Sequence, residues 1–199
     1  MSKVQPQNST KLLEDLKAEI LKCKKCSLHK TRTQPVVSRG SNEIGIMFVG
    51  EMPGPDEDKE GRPFIGRAGK LLDEMFLAEG IDTEKCYISN MTRCFAGKII
   101  EPSPEQVTAC HTHLINEIKV VNPRILVALG LTPHKGLTGN KNVLMRNIAG
   151  TVVSIPGITP LLFTMYHPSW LLRSPTPANK ATYSALIKIL KAIYTGEQS

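Results

Sequence analysis

Four short apolar runs alternate along the chain with stretches whose apolar residues recur every three or four positions. The runs have the length and composition of buried β-strands, and they cover residues 44–50, 85–91, 124–130 and 161–166. The third run is almost wholly apolar, which is typical of a strand covered by helices on both faces. Strands that alternate with helices predict a parallel sheet between helical layers. We therefore predict an α/β fold.

The stretches between these runs predict amphipathic helices with recognisable starts. Thr10 is the predicted cap of the first helix, and residues 70–79 form the helix that follows the first strand. Ser103-Pro-Glu-Gln106 has a capping serine, a proline at the first helical position and a glutamine that completes a capping box. Thr176-Pro177 opens the last helix.

A long connection rich in glycine, proline and acidic residues follows the first strand, between Gly50 and Gly69. Long loops in compact domains are usually functional or disordered, and we predict that this one forms the floor of a ligand pocket. In parallel sheets, ligands bind beyond the carboxyl ends of the strands. The residues at those ends are Glu51, Asn90, Gly130 and His167. Three of the four have polar side chains, so we predict a pocket for a small planar molecule at this edge of the sheet.

Two further groups of polar residues are not assigned to this pocket. Asp56, Glu57 and Asp58 are interpreted as a solvated acidic loop, with a divalent cation site as the alternative. His111 and His113 lie two residues apart on a predicted helix and therefore do not share a face. Both histidines are interpreted as surface residues.

The composition is that of a globular protein with a sizeable core. The chain has 199 residues, of which 41% are hydrophobic, and we interpret residues 1–199 as one domain with residues 1–8 as a loose tail. The net charge of +7 indicates either attraction to a polyanion such as nucleic acid or a solvated basic face, and charge alone leaves both open. No apolar run approaches the length of a membrane span, and residues 1–10 lack the apolar core of a secretory signal. We expect a cytoplasmic protein without membrane contact.

Five cysteines indicate a possible metal site. Cys23 and Cys26 have a two-residue gap common among metal ligands, and Cys94 and Cys110 can supply a second pair. Disulfides are not expected in a chain without an export signal. Four thiolates suit zinc and an iron–sulfur cluster equally by their spacing. Cys86 lies in a predicted strand and is interpreted as an ordinary buried thiol, and core packing is also the alternative for Cys110.

Several motifs, in the same order along nearly the whole chain, resemble those of the iron–sulfur uracil-DNA glycosylases, family 4 of their superfamily. The motifs are Cys23-x-x-Cys26, Gly50-Glu-Met-Pro-Gly54, Glu57-Asp58 before Gly61-Arg-Pro-Phe-Ile-Gly66, Asn90, Cys94, Cys110, and His167-Pro-Ser with Leu171-Leu-Arg173. The resemblance implies a three-layer α/β/α fold with a four-stranded parallel sheet. It implies a monofunctional glycosylase that hydrolyses the bond between uracil and deoxyribose in DNA repair and leaves an abasic site. It also implies a 4Fe–4S cluster, in preference to zinc, on Cys23, Cys26, Cys94 and Cys110.

The resemblance further implies roles for residues of the predicted pocket. Phe64 would stack on a flipped uracil, Asn90 would hydrogen-bond its edge and His167 would face its O2. Glu51 and the backbone at Met52 would line the pocket, and Glu51 is the candidate for activating water. An amide offers uracil both a donor and an acceptor, and a donor at O2 stabilises the departing anion. His167, Glu51 and Asn90 are therefore the expected catalytic residues.

The segment that follows His167 is the candidate DNA-binding element. Its apolar rim would wedge the duplex and fill the space left by the extruded base. Arginine and backbone amides near the pocket would hold phosphates. The expected DNA contacts are Gly66, Arg67, Ser169, Trp170, Leu171, Leu172 and Arg173. The expected partner is DNA containing uracil, single- or double-stranded, bound by a monomer.

Two departures from the family pattern leave alternatives open. Met52 stands where the family usually has alanine, and residues 95–100 differ from the usual Arg-Pro-Pro-Gly-Asn-Arg. One alternative is the same fold acting on another modified base, or binding uracil-containing DNA without turnover. A second alternative is an iron–sulfur redox protein, which would leave Asn90 and His167 without a role.

Overall fold

Six strands form one mixed sheet between two layers of helices. The computed structural model describes residues 6–97, 101–155 and 157–196. Within these residues the eight α-helices are α1 (Pro6–Leu21), α2 (Pro55–Glu60), α3 (Arg67–Ala78), α4 (Pro104–Val121), α5 (Leu131–Thr138), α6 (Met145–Ile148), α7 (Pro168–Arg173) and α8 (Pro177–Thr195). The six strands are β1 (Arg39–Gly40), β2 (Ile46–Gly50), β3 (Tyr87–Asn90), β4 (Ile125–Leu129), β5 (Val152–Ile155) and β6 (Ile158–Met165).

The strand order is β1-β3-β2-β4-β6-β5. The four inner strands are parallel, and the edge strands β1 and β5 pair antiparallel with their neighbours. The predicted α/β class and the four parallel strands are confirmed. The sheet is nevertheless two strands wider than predicted. β1 is only two residues long and has no hydrophobic alternation to reveal it, whereas β5 coincides with a β-like run over residues 151–155 that was not counted among the four strands.

Helices cover both faces of the sheet, which explains why every residue of β2 and β4 is buried. On one face, Phe48 and Val127 pack with side chains of α3, α7 and α8. On the other face, Met47 and Leu126 pack with side chains of α4 and α5. Because the inner strands are parallel, their carboxyl ends lie at one edge of this covered sheet.

Two predicted boundaries are wrong for local reasons, and one predicted loop contains a helix. The first helix begins at Pro6 and not after Thr10, because proline is well suited to a first helical position; residues 1–5 of the predicted tail lie outside the described residues. β2 begins at Ile46 and not at residue 44, because Gly45 has a φ of 72° and makes a turn. The connection after β2 contains the short helix α2, where only a loop was predicted.

Other sequence signals are confirmed. The Ser103 side chain accepts a hydrogen bond from the Gln106 N–H, and the Gln106 side chain accepts one from the Ser103 N–H, so the predicted capping box at α4 is present. Thr176 caps α8 through the Asn179 N–H. Residues 98–100 of the divergent loop lie outside the described residues. No helix in the described ranges is both long and apolar enough to cross a membrane.

Candidate functional site

A cavity of about 310 Å³ opens at the carboxyl ends of β2 and β3, beside the start of α7. Its lining comes from the connection between β2 and α3, the end of β3, and α7 with its capping residue. The lining residues are Met52, Pro53, Gly54, Pro55, Asp56, Glu57, Phe64, Gly66, Arg67, Ala68, Asn90, His167 and Leu172. The structure therefore brings most of the predicted pocket residues to one place, at the edge of the sheet where the sequence predicted them.

Asn90 presents an unused hydrogen-bond acceptor to this cavity. Asn90 ends β3 and is 3% exposed. Within the described part of the chain, its Oδ1 is buried and has no hydrogen-bond partner. Because buried polar atoms are almost always paired, an unpaired amide oxygen in a cavity wall indicates a ligand that donates to it.

Phe64 lies against Asn90 and His167 because two glycines leave space for it. A side-chain carbon at Gly50 would collide with Oδ1 of Asn90 and with the Phe64 ring, and one at Gly69 would collide with the Phe64 backbone. Phe64 itself has a φ of 55°, a left-handed conformation uncommon outside glycine. Its ring centroid lies 5.8 Å from that of His167, with the planes at 40°. The cavity thus has an aromatic face beside an amide and an imidazole.

Of the three acidic residues interpreted as a solvated loop, Asp56 is exposed as predicted, but Glu57 and Asp58 are buried and bonded to the backbone, so for these two the interpretation is wrong. The Glu57 carboxylate accepts hydrogen bonds from the Gly54 N–H at 3.0 Å, the Ile65 N–H at 3.1 Å and the Gly66 N–H at 2.9 Å. Asp58 accepts from the Thr33 N–H at 2.9 and 3.1 Å. Glu57 follows Gly54 by three residues, the spacing of a capping box, and this signal was overlooked. The two carboxylates hold the pocket loop in place.

His167 caps α7 and is held as a neutral ring. Its Nδ1 accepts a hydrogen bond from the Ser169 N–H at 3.1 Å and lies 2.8 Å from the Ser169 Oγ. The Arg173 Nη1 donates in turn to that Oγ at 3.1 Å. Because Nδ1 accepts, the proton of the neutral imidazole is on Nε2. Burial, and secondarily the charge of Arg173, lowers the pKa of His167 to about 4.

This lowered pKa predicts an unusual titration. We expect the His167 ring to stay neutral as the pH falls from about 8 to about 5, and to take up a proton only towards its pKa of about 4. An ordinary histidine, with a pKa near 6.5, would become protonated in the middle of this range. NMR chemical shifts of the His167 ring, assigned by comparison with a His167→Ala variant and followed across this range, test the prediction. A titration centred near 6.5 would contradict the assignment.

The lowered pKa of His167 also makes the free energy of unfolding fall as the pH falls. The folded pKa lies below the unfolded value, so the unfolded chain takes up the proton first as the pH falls. The contribution of His167 to stability is complete above about pH 6.5 and is lost progressively as the pH falls towards 4.

The predicted DNA-contacting segment is only partly available to DNA. Leu171 is 1% exposed and packs into the core, so its expected role as a wedge is wrong. Trp170 is half-buried and stacks on Tyr166, with ring centroids 4.2 Å apart. Leu172 lines the cavity, and Arg173 is exposed. Within α7, Leu172 in the cavity wall and the exposed Arg173 are therefore the side chains best able to contact DNA.

Glu51 occupies a different position from the other predicted pocket residues. It is not among the lining residues of the cavity in the described chain. Its Oε1 is buried without a hydrogen-bond partner among the described residues. Burial raises the pKa of Glu51, the charge of Glu101 raises it further, and a hydrogen bond from Thr132 lowers it. The carboxylate thus lies towards α5.

All four cysteines predicted as ligands line a second, small cavity. Cys23 and Cys26 follow α1, Cys94 follows β3, and Cys110 lies on α4. Burial raises the pKa of Cys110 to about 11. It also raises the pKa of Cys94, which the Arg32 guanidinium counteracts by donating to its Sγ at 2.9 Å. Cys86 is fully buried elsewhere in the core, as predicted.

The lining of this cavity is the donor set of a thiolate metal site. Cysteine thiolates bind both zinc and iron–sulfur clusters. Four cysteines from three separate segments of the chain, around one cavity, fit such a group.

His113 adjoins this cysteine site, so its interpretation as a surface residue is wrong. It is 1% exposed, and its Nε2 lies 3.3 Å from the Cys23 Sγ. Burial lowers the pKa of His113. Its place three residues after Cys110 on the same helix, and therefore on the same face, was the sequence signal for this proximity.

Comparisons with known proteins agree with this geometry. The family model described as the Uracil DNA glycosylase superfamily matches residues 37–191. A type-4 uracil-DNA glycosylase of Thermotoga maritima is 40% identical, over 82% of this chain and 84% of its own length. Type-4 uracil-DNA glycosylases of Archaeoglobus fulgidus and Pyrobaculum aerophilum are 36% and 37% identical, each over 82% of this chain and over 84% and 86% of their own lengths.

Proposed function

This chain belongs to the uracil-DNA glycosylase superfamily and, within it, to the type-4 enzymes, and we propose that it hydrolyses the N-glycosidic bond of uracil in DNA. The products are free uracil and an abasic site, the first intermediate of base-excision repair. The observation that carries the proposal is the meeting of Phe64, Asn90 and His167 in one cavity. An aromatic face, an unpaired amide and a neutral imidazole donor are the groups that an extruded pyrimidine requires.

In this proposal, Phe64 and Asn90 select the base. The Phe64 ring stacks on the face of uracil after extrusion from the duplex. The unpaired Oδ1 of Asn90 accepts from the N3–H of uracil, and its amide N–H donates to O4. Cytosine presents the opposite pattern, an acceptor at N3 and a donor at position 4. The Asn90 amide therefore discriminates between the two bases as long as its orientation is fixed.

His167 stabilises the leaving group. When the C1′–N1 bond breaks, its electron pair goes to the base, which leaves as an anion with charge on O2. The Nε2–H of the neutral ring donates to that oxygen, and the pair of hydrogen bonds at Nδ1 fixes the tautomer that makes this possible. Water then adds to C1′ and gives up a proton. Glu51 is the proposed proton acceptor, supported by its unpaired oxygen and by the burial that raises its pKa.

DNA containing uracil, single- or double-stranded, is the proposed partner of a monomeric enzyme. Arg67 and Arg173 are exposed beside the cavity, where they can meet phosphates on either side of the extruded nucleotide. Gly66 and Ser169 lie at the N-terminal ends of α3 and α7, where backbone N–H groups attract anions. Leu172, in the cavity wall, is the side chain best placed to fill the vacated stack.

Cys23, Cys26, Cys94 and Cys110 are proposed to hold a 4Fe–4S cluster. Bound there, the cluster supplies structural cross-linking among three separate parts of the chain. The Arg32 side chain supports this function, because it donates both to the Cys94 Sγ and, at 2.7 Å, to the carbonyl of Cys23. These contacts orient two of the ligand-bearing segments independently of the iron.

The proposal is tested by excision from oligonucleotides that carry uracil or one of a panel of other modified bases. The panel is needed because Met52 lines the cavity and packs beside Cys94 and Ala96, a bulkier wall than the usual alanine. We expect abasic product from uracil at a rate well above that from the other bases. An intact uracil strand together with cleavage of another base would replace uracil as the proposed substrate.

Asn90→Ala should reduce uracil excision by about 1,000-fold, because the variant loses the amide that hydrogen-bonds the base. Duplex binding should largely be kept, because no phosphate contact is removed. The measurement pairs single-turnover excision with binding to an abasic-site duplex. Asn147→Ala, at an exposed position on α6, is the matched control and should behave as the parent. Full activity in Asn90→Ala would refute the assignment of this cavity to the base.

A further inference from the structure

The backbone that carries Asn90 has a buried carbonyl that no strand can satisfy. The Met91 N–H donates to the Gly50 carbonyl of β2 at 2.8 Å. The Asn90 carbonyl, on the opposite side of the same peptide plane, therefore points away from β2. On that side β1 pairs only with Tyr87 and Ile88, and its two residues end before Asn90 is reached. The carbonyl needs a donor from elsewhere.

Arg93 provides that donor from three residues further along the chain. Its Nη1 donates to the Asn90 carbonyl at 2.7 Å and also to the Ser89 Oγ. Its Nη2 forms an ion pair with the Glu117 carboxylate of α4. The Ser89 hydroxyl donates to the same carboxylate at 2.8 Å. One guanidinium thus joins the end of β3 to the helix packed beneath it.

This ion pair is buried to an unusual degree. The Arg93 and Glu117 side chains are 2% and 3% exposed, whereas the carboxylate partners of the other buried arginine, Arg39, are 40% and 56% exposed. Two well-packed apolar side chains are often as stable as a buried ion pair, or more so. Stability alone is therefore a weak reason for charges at this place. Unlike apolar side chains, Arg93 provides hydrogen-bond donors with a fixed direction, and these reach the Asn90 carbonyl and the Ser89 hydroxyl.

We propose that Arg93 and Glu117 are a positioning pair that fixes the Asn90 peptide and so sets the direction in which the Asn90 amide meets the base. Neither residue lines the base cavity, so both act through Asn90. The inference rests on the proposed function for its chemistry. Its structural core, that this pair determines the position of Asn90, is independent of the base that is bound.

The test replaces the whole pair, because removing one partner leaves the other charge buried and unpaired. Arg93→Met/Glu117→Met keeps side chains of similar length and should fold. We expect the Asn90 amide in its crystal structure to be displaced by about 1 Å or to occupy two rotamers, and excision of uracil to fall about 100-fold. The affinity for free uracil, measured by inhibition, should fall with it. Thermal unfolding and iron content are recorded alongside, since Arg93 adjoins Cys94 and its cavity.

Two further variants separate positioning from general stability. Arg93→Lys keeps a charged donor beside the Asn90 carbonyl and should recover most of the uracil affinity lost in the double variant. Arg39→Met removes an arginine whose side chain is 3% exposed, and which pairs with Asp73 and Glu84 beside the start of β3. It should lower stability and leave uracil affinity unchanged.

The outcomes are distinguishable. An Asn90 position and a uracil affinity equal to those of the parent in the double variant would overturn the positioning pair, whatever the parent excises. A displaced Asn90 in an enzyme whose parent does not cleave uracil would support the pair and overturn the proposed substrate. If the double variant does not fold, Arg93→Gln/Glu117→Gln replaces it, because glutamine at position 93 is too short to make the same contacts. Unchanged Asn90 geometry there would equally refute the inference.

Discussion

Replacing His167 with alanine should slow uracil excision by about 100- to 1,000-fold, the usual effect of removing one donor aimed at a developing anion. The loss should appear in the rate of bond cleavage and hardly at all in duplex binding, because the imidazole lines the base cavity, whereas phosphates are expected to meet the exposed arginines. Single-turnover excision from a uracil-containing duplex, with binding measured on an abasic-site duplex, separates the two effects.

His111→Ala is the matched control for this variant. His111 lies on α4, is only partly buried and does not line the base cavity. The His111→Ala variant should therefore keep the parental excision rate and the parental affinity for the duplex. If His167→Ala excised uracil at the parental rate, the donor at O2 would have to come from another residue of the cavity, and the neutral tautomer derived from the Ser169 contacts would have no catalytic consequence.

Replacing Cys110 with serine should remove the iron–sulfur absorbance and lower the melting temperature by about 10 °C or more. Cys110 is 7% exposed within α4, whereas the other three cysteines come from the segments that follow α1 and β3. Loss of one ligand therefore releases a link between distant parts of the fold, and metal binding contributes directly to folding free energy. Iron content, visible absorbance and thermal unfolding are the measurements.

Cys86→Ala provides the comparison for this experiment. Cys86 is as buried as Cys110, but it packs in the core cluster on the α3 side of the sheet. Its loss removes one small side chain and should leave the iron content unaltered. A Cys110→Ser protein with full iron content and parental stability would contradict the cysteine site. Equal loss of iron in both variants would show that the absorbance does not report on this site.

The positions of the proposed catalytic groups follow from sequence rules that act over short distances. Asn90 and His167 were predicted at strand ends because they stand where apolar runs end, and parallel strands bring their ends to the same edge of a sheet. The capping box at Ser103 is likewise a matter of four consecutive residues. Such patterns need no knowledge of the partner element. The roles assigned to the individual residues, in contrast, came from the resemblance and stay proposals.

The errors share a common cause, because the sequence does not show which other part of the chain a side chain will meet. Glu57 was read as solvated, but it accepts from Ile65 and Gly66, eight and nine residues away. His113 was read as exposed, but it meets Cys23, 90 residues away. Leu171 was read as a DNA wedge, but it packs in the core. A hydrophobic pattern identifies the apolar face of a helix or strand. It does not show which side chains of other elements will contact that helix or strand in the folded protein.

The sequence by itself therefore determined the alternation of strands and helices and the edge of the sheet where the cavity opens, and the resemblance added the four cysteines that line the second cavity. The alternation and the sheet edge depend on periodicity and on end signals, which are local. Only the tertiary structure decided how wide the sheet is, which acidic side chains hold the pocket loop, and that Arg93 reaches Glu117 behind Asn90. Those contacts join residues far apart in the chain, and their geometry exists only once the layers have packed.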